Sequence, residues 1–176
     1  MYNKLSNIQL KTLCTPGISY LSLSYYGQYL VFKLVPWAGK DASGRDQYSK
    51  EKFISTTLNP EGAKCFYEVV TSILTGTEPE KPLPMVLQCK RETTLTLDYK
   101  PDENNQMTAY LVANKNNETI SFKFKTQQIQ NWVDGQMVTK VIQADLEEFA
   151  GILYNYILRC GEAEYLLNKS IGQASA

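Results

Sequence analysis

The chain contains no histidine. That absence removes Ser-His-Asp and Cys-His catalysis, His-containing zinc sites and the commonest general base. Cysteine is sparse. The four residues, Cys14, Cys65, Cys89 and Cys160, form no Cys-x-x-Cys pair and mark no secreted disulfide framework. Cys65 and Cys160 fall inside predicted helices, where a buried thiol is expected. Neither a Gly-x-x-x-x-Gly-Lys-Ser/Thr loop nor a Gly-x-Gly-x-x-Gly fingerprint occurs. No apolar run reaches the roughly 18 residues that a membrane span needs. Met1 to Pro16 carries Lys4 and Lys11 without a continuous apolar core, so no secretory signal is expected and a cytoplasmic setting is the default. An enzyme is therefore the weaker class of reading, with no cofactor and no metal expected.

What remains is an ordinary globular composition: 176 residues, 43% apolar, with twelve tyrosines. This length supports one sizeable core, or two half-domains sharing one. The net charge of zero hides an asymmetry. Residues 1–58 hold Lys4, Lys11, Lys33, Lys40, Arg45, Lys50 and Lys52 against Asp41, Asp46 and Glu51. From residue 145 onward Asp145, Glu147, Glu148, Glu162 and Glu164 outnumber Arg159 and Lys169. A local polyanion-binding face is compatible with this; a whole-protein pull on duplex DNA is not.

The patterning has one grammar used twice: several short β-type segments, then one amphipathic helix. From Ile18 the residues alternate, with Leu21, Leu23 and Tyr25 opposite Tyr20, Ser22 and Ser24. After Gly27 the alternation resumes, with Leu30, Phe32 and Leu34 opposite Tyr29, Val31, Lys33 and Val35. Period-two patterning rich in aromatic and β-branched residues predicts strands. Trp37 to Asp46 reads as a loop, and Gln47 to Leu58 as one long strand or two short ones. Asn59 is a good N-cap and Pro60 suits the first helical turn. Ala63, Phe66, Val70, Ile73 and Leu74 then recur at helical spacing as far as Gly76. Residues 77–84 hold Pro79, Pro82 and Pro84 and form a stiff connector.

The second unit runs from about Pro84 to Gly161. Strands are expected at Met85 to Lys90, Thr93 to Lys100, Met107 to Asn114 and Glu118 to Lys125. Thr126 to Gly135 reads as a longer excursion anchored by Trp132, with a last strand at Gln136 to Ile142. Asp145 and Glu148 form a capping-box-like pair. The closing helix carries Leu146, Phe149, Leu153, Tyr156 and Ile157, and ends at Gly161 or continues briefly to Leu167, leaving Ser170 to Ala176 frayed. The predicted fold is thus α+β: one domain over residues 1–176, built of two meander-plus-helix repeats at about 18–76 and 84–161, in which two antiparallel sheets pack with two helices.

The outward strand positions carry the chemistry. Lys33, Lys50, Lys52, Lys90, Arg91, Lys123 and Lys125 fall on or beside strands, where lysine is depleted. Tyr20, Tyr29 and Tyr110 share the polar side. Basic groups that track phosphates, with rings that stack on unpaired bases, are how single-stranded nucleic acid is held. No helix is basic enough to read a major groove. Equally, a strand lysine can serve solubility or edge protection, and a tyrosine can cap a core. Trp37, near Lys40 and Arg45, is the best single stacking candidate, or else a lid over the first helix. Asp145, Glu147 and Glu148 fit a helix-dipole role better than a metal site.

Three stretches resemble the Whirly-type single-stranded DNA-binding fold, related to the positive-cofactor-four family. They are Tyr25-Tyr26-Gly27-Gln28 leading into Lys33-Leu34-Val35-Pro36, Leu97-Asp98-Tyr99-Lys100-Pro101-Asp102, and Val141-Ile142-Gln143-Ala144-Asp145-Leu146-Glu147-Glu148-Phe149. The order of elements agrees from about Ile18 to Leu158. Where plant members carry Lys-Gly-Lys, this chain has Tyr26-Gly27-Gln28. The resemblance implies two sheets packed like propeller blades, homo-oligomers built through helix contacts, and sequence-independent binding of single strands along sheet edges. Compact single-stranded binding proteins of this type also occur in bacteriophages; a phage-encoded member is expected in the host cytoplasm.

The leading expectation is therefore a non-catalytic single-stranded DNA-binding protein acting in replication, recombination or repair. Lys33, Lys40, Arg45, Lys50, Lys52, Lys123 and Lys125 would contact phosphates, and Tyr29, Trp37 and Tyr110 would stack. A structural or protein-interaction module, and an RNA-binding protein of the same fold, stay open beside it.

Overall fold

A computed structural model describes the backbone from Ile8 to Ala174 and the side chains as far as Gly161. The first sheet is antiparallel and has five strands: β1 (Ile8–Thr15), β2 (Ser19–Tyr26), β3 (Tyr29–Lys40), β4 (Asp46–Tyr48) and β5 (Ile54–Leu58). Both β4 and β5 pair with β3, at its far and near ends respectively. Helix α1 (Pro60–Thr75) follows. Its start and stop are those expected: Asn59 accepts the Gly62 N–H at 2.9 Å, Pro60 opens the first turn, and Gly76 closes the helix in the left-handed region at φ 68°.

A second, four-stranded antiparallel sheet runs in chain order through β6 (Met85–Gln88), β7 (Thr93–Pro101), β8 (Met107–Lys115) and β9 (Glu118–Lys123). A separate two-stranded hairpin, β10 (Gln127–Val133) and β11 (Gln136–Ile142), precedes α2 (Ala144–Ala174). The architecture is thus α+β, with several antiparallel sheets and two helices.

One hydrophobic cluster joins these layers. Leu21, Leu23, Leu30, Phe32 and Leu34 come from the first sheet, Leu95, Leu97, Leu111 and Phe122 from the second, Phe66 and Val70 from α1, and Leu146, Phe149 and Leu153 from α2. Phe149 is the junction. It meets Phe32 edge-on with centroids 6.0 Å apart, and Phe124 at 5.3 Å. The sheets are also stitched by side chains. The Thr15 and Ser19 hydroxyls donate to the Lys123 and Ser121 carbonyls of β9, the Ser19 bond being 2.7 Å. These carbonyls lie two residues apart on the outer edge of β9, which would otherwise be open to strand addition. Deep in the core, the Tyr156 hydroxyl lies 2.9 Å from the Gln28 carbonyl and 3.0 Å from that of Leu58. Burial, the main cause, pushes its pKa up.

Several expectations change: Trp37 to Lys40, read as loop, continues β3, and the expected excursion from Thr126 contains strand β10. β1 was not anticipated at all. Trp132 does not anchor a loop: it stands 71% exposed on β10. Asp145 lies inside α2, whose first residue is Ala144, so it does not cap; its carboxylate accepts the Lys125 N–H at 3.1 Å. The helix itself reaches Ala174, well beyond Gly161, so only Ser175 and Ala176 of the supposed frayed end lie outside the described residues.

Candidate nucleic-acid interface

Sheet pleating sorts the first sheet into two faces. Leu30, Phe32 and Leu34 of β3 enter the core, so Tyr29, Val31 and Lys33 point outward, away from both helices. The register places Tyr26 directly beside Tyr29 at the turn end of the β2–β3 hairpin, Ser22 beside Lys33, and Ser55 on its other side. Gly27 makes the tight connection possible, at φ 60°.

The turn between β6 and β7 reaches onto this same face. The Lys90 ammonium sits 4.3 Å from the Tyr29 ring centroid, within cation–π range. Tyr26, Tyr29, Val31, Ser55, Thr57, Lys90 and Arg91 line one shallow groove of about 370 Å³. Hydrogen bonding from Gln28, and then from Lys90, lowers the Tyr29 pKa. Two non-glycine residues of this turn, Arg91 and Glu92, adopt left-handed backbone at φ 59° and 56°. Such positions cost on the order of 1 kcal/mol or more each for a side chain with a Cβ. Asn-Gly is the usual solution. Arg91→Asn/Glu92→Gly should therefore raise the urea unfolding midpoint, by about 1–2 kcal/mol in stability, while weakening binding of oligo-dT; a lowered midpoint would contradict the strain.

Farther along β3 the alternation of rings and cations continues. Lys33 lies 4.4 Å from the Phe53 ring centroid. Tyr20 and Tyr48 meet edge-on at 5.1 Å. Trp37 is partly exposed and opposite Tyr48, with its indole N–H donated to Asp46 at 2.9 Å, so it lies on the loop side of the sheet rather than over α1. Lys40 is opposite Asp46, Arg45 occupies the exposed β3–β4 turn, and Lys50 and Lys52 are exposed on the β4–β5 loop. Tyr29, Lys33, Trp37, Lys40, Arg45, Lys50 and Lys52 are thus gathered on one sheet and its loops.

The other three expected residues are elsewhere. Tyr110 and Lys123 face outward from the second sheet, opposite one another on β8 and β9. Lys123 is only 17% exposed at its side chain and lies 2.9 Å from both Asp102 and Glu103. Burial works against its charge, yet these carboxylates hold its pKa above the ordinary value, while Lys123 in turn lowers that of Asp102. Two carboxylates around one ammonium leave a local negative balance, unsuited to phosphate. Lys100 adds a cation 5.4 Å from Tyr110 but is itself paired to Asp98 at 3.1 Å. Lys125 is exposed just beyond β9, its backbone tied to Asp145.

Comparison with models of known families, with curated proteins and with solved structures finds no match. Function therefore rests on the geometry. Among the described residues there is no cluster of three or more Cys, Asp or Glu able to hold a metal ion, and no helix long and apolar enough to cross a membrane. Lys90 and Arg91, counted among the outward cations but not among the expected contacts, line the groove together with Tyr26, Val31, Ser55 and Thr57, which were not expected there either. Lys90 and Arg91 were visible as strand-end cations, but nothing local links them to Tyr29, about sixty positions away.

Proposed function

We propose that this chain is a sequence-independent single-stranded DNA-binding protein acting in replication, recombination or repair, using the outer face of its first sheet. The observation that carries the reading is the groove in which Tyr26 and Tyr29 lie beside Lys90 and Arg91. An unpaired base stacks on a tyrosine face, and its phosphates are met by the flanking cations. The shallow opening suits a strand with splayed bases, since no deep pocket is required to read a base edge. The strip of Lys33, Phe53, Tyr48 and Trp37 extends the path along β3. Catalysis and cofactors play no part in this reading.

The finer architecture fits the same proposal. Each larger sheet is followed in the chain by a helix, and both helices contribute to a common core. We read this as a Whirly-like pair of meander-plus-helix units. The first unit takes the larger share of binding.

The test is a tyrosine and tryptophan fluorescence titration with oligo-dT, duplex DNA and matched RNA at two salt concentrations. Oligo-dT should quench and bind ahead of duplex. Neutralising three or four phosphates gives a log–log salt slope of about −2 to −3. Absence of both quenching and a mobility shift at low salt would overturn the proposal. Tighter binding of RNA than DNA would reassign it to RNA.

A further inference from the structure

The β10–β11 hairpin is not explained by single-strand binding. Among the described residues its two strands pair only with each other, leaving an open edge on each side. Both of its faces are largely exposed, yet it carries Trp132 at 71%, Met137 at 53% and Val133 at 50% exposure, with Val138 and Val141 close behind. An isolated two-stranded hairpin is at best marginally stable in water. Apolar side chains on such an arm call for a cover. Its charge says which kind: Asp134 and Lys140 are the only charged residues from 127 to 142, so the arm is neutral. Nucleic acid is thereby a poor occupant, and a copy of the same neutral arm is not repelled.

We propose that the arm is a dimerisation element, in which β11 pairs antiparallel with β11 of a second copy. β11 is the suitable edge, because its β-branched Val138, Thr139, Val141 and Ile142 favour strands, whereas β10 is rich in glutamine. The register follows from symmetry. A two-fold axis at Thr139 places it opposite Thr139 of the second copy, and Met137 opposite Val141 of the second copy. Trp132 already lies opposite Met137 within its own hairpin. One row then crosses the four-stranded sheet: Trp132, Met137, and the second copy's Val141 and Gln128, repeated by symmetry in the reverse sense. Side-chain parity is preserved, so no residue changes face.

The antiparallel arrangement has a second consequence. The tip of each arm falls at the base of the other, where an open cleft of about 480 Å³ lies between Ile73, Leu74, Tyr99, Met107, Val141 and Ile142. Trp132 and Val133 of the second copy come to its mouth. Edge pairing shields the flanks of Met137 and Val141, and the second copy's arm tip adds cover at the cleft.

The inference is independent of the nucleic-acid reading, and its experiment contains no nucleic acid. Sedimentation velocity of the full chain across a concentration series should show a reversible monomer–dimer equilibrium. Met137→Asp/Val138→Asp should raise the dimer dissociation constant by at least about tenfold, with an unchanged far-ultraviolet spectrum, both side chains being exposed. In parallel, Thr139→Cys should give a disulfide-linked dimer on mild oxidation, because directly opposed antiparallel positions lie within disulfide reach; the wild type, with its four native cysteines, is the background. A wild type that stays monomeric overturns the proposal. So does a dimer that the double aspartate variant leaves intact, which would put the interface on another surface such as the outward side of α2. Failure of Thr139→Cys to cross-link above background overturns the register.

Discussion

Reversing charge at the groove, with Lys90→Glu/Arg91→Glu, is expected to weaken oligo-dT binding by about 30-fold or more at low salt, equivalent to about 2 kcal/mol from two charge-assisted phosphate contacts. The salt dependence is the more telling readout. Losing two neutralised phosphates reduces the log–log slope by about 1.4, which a merely misfolded fraction would not do. Tyr29→Ala should act differently, losing about tenfold in affinity through stacking at 1–3 kcal/mol per base, with little change of slope. The contrast residue is Lys123. It is held by Asp102 and Glu103 on the second sheet, so Lys123→Gln should leave affinity within about twofold, as for surface changes away from the site. If Lys123→Gln costs as much as the groove reversal, the interface has been placed on the wrong sheet.

Phe149→Ala is expected to destabilise the protein by about 3–5 kcal/mol, the usual cost of removing a buried phenylalanine. Phe149 is fully buried and contacts rings from β3 and from the segment just after β9, so its loss opens a cavity where both sheets meet α2. Against a total stability of about 5–15 kcal/mol this is a large fraction. The melting temperature should fall by about 6–20 °C for a chain of this length. Urea unfolding followed by circular dichroism provides the measurement, with Phe149→Leu as a milder companion. A loss below about 1 kcal/mol would mean that the site collapses around the gap, and that Phe149 is not the junction described.

The parts of the fold that sequence reveals are those with local, repeated signals. Alternation from Leu21 to Leu34 and from Leu95 to Phe122 survives because one side of each strand is buried and the other is not. Asn59, Pro60 and Gly76 mark α1 because capping is a short-range matter. β1 escaped because its register with β2 shifts between Gln9 and Lys11. The extra residue puts Leu13 and Thr15 inward while Ile8 stays exposed, and breaks the period of two. β10 escaped for another reason: with no buried side, its sequence has nothing to alternate, whereas β11 was expected over the residues it occupies. Asp145 resembled a cap because carboxylates near a helix start often are; here the Lys125 amide, twenty residues earlier, claims it instead.

The candidate site was legible residue by residue but not as a place. Tyr29, Lys33 and Trp37 recur every fourth position on β3, a spacing visible in the chain. Their meeting with Lys90 and Arg91 depends on how the β6–β7 turn lies against the first sheet, which only tertiary packing decides. For Lys123 the surroundings reversed the meaning: an isolated strand lysine invites phosphate, but one enclosed by Asp102 and Glu103 does not.

The Tyr156 hydroxyl, shared between the carbonyls of Gln28 and Leu58, has a bearing on how an incoming strand would be received. Gln28 sits in the short link between Tyr26 and Tyr29, and Tyr156 belongs to the helix behind the sheet. A link fastened from behind cannot swing on its own, so the two rings present a fixed shelf rather than a pair of loose flaps. On the proposed reading, the ordering that a floppy binding loop undergoes on contact would already be complete in the folded chain, leaving stacking energy to appear as affinity.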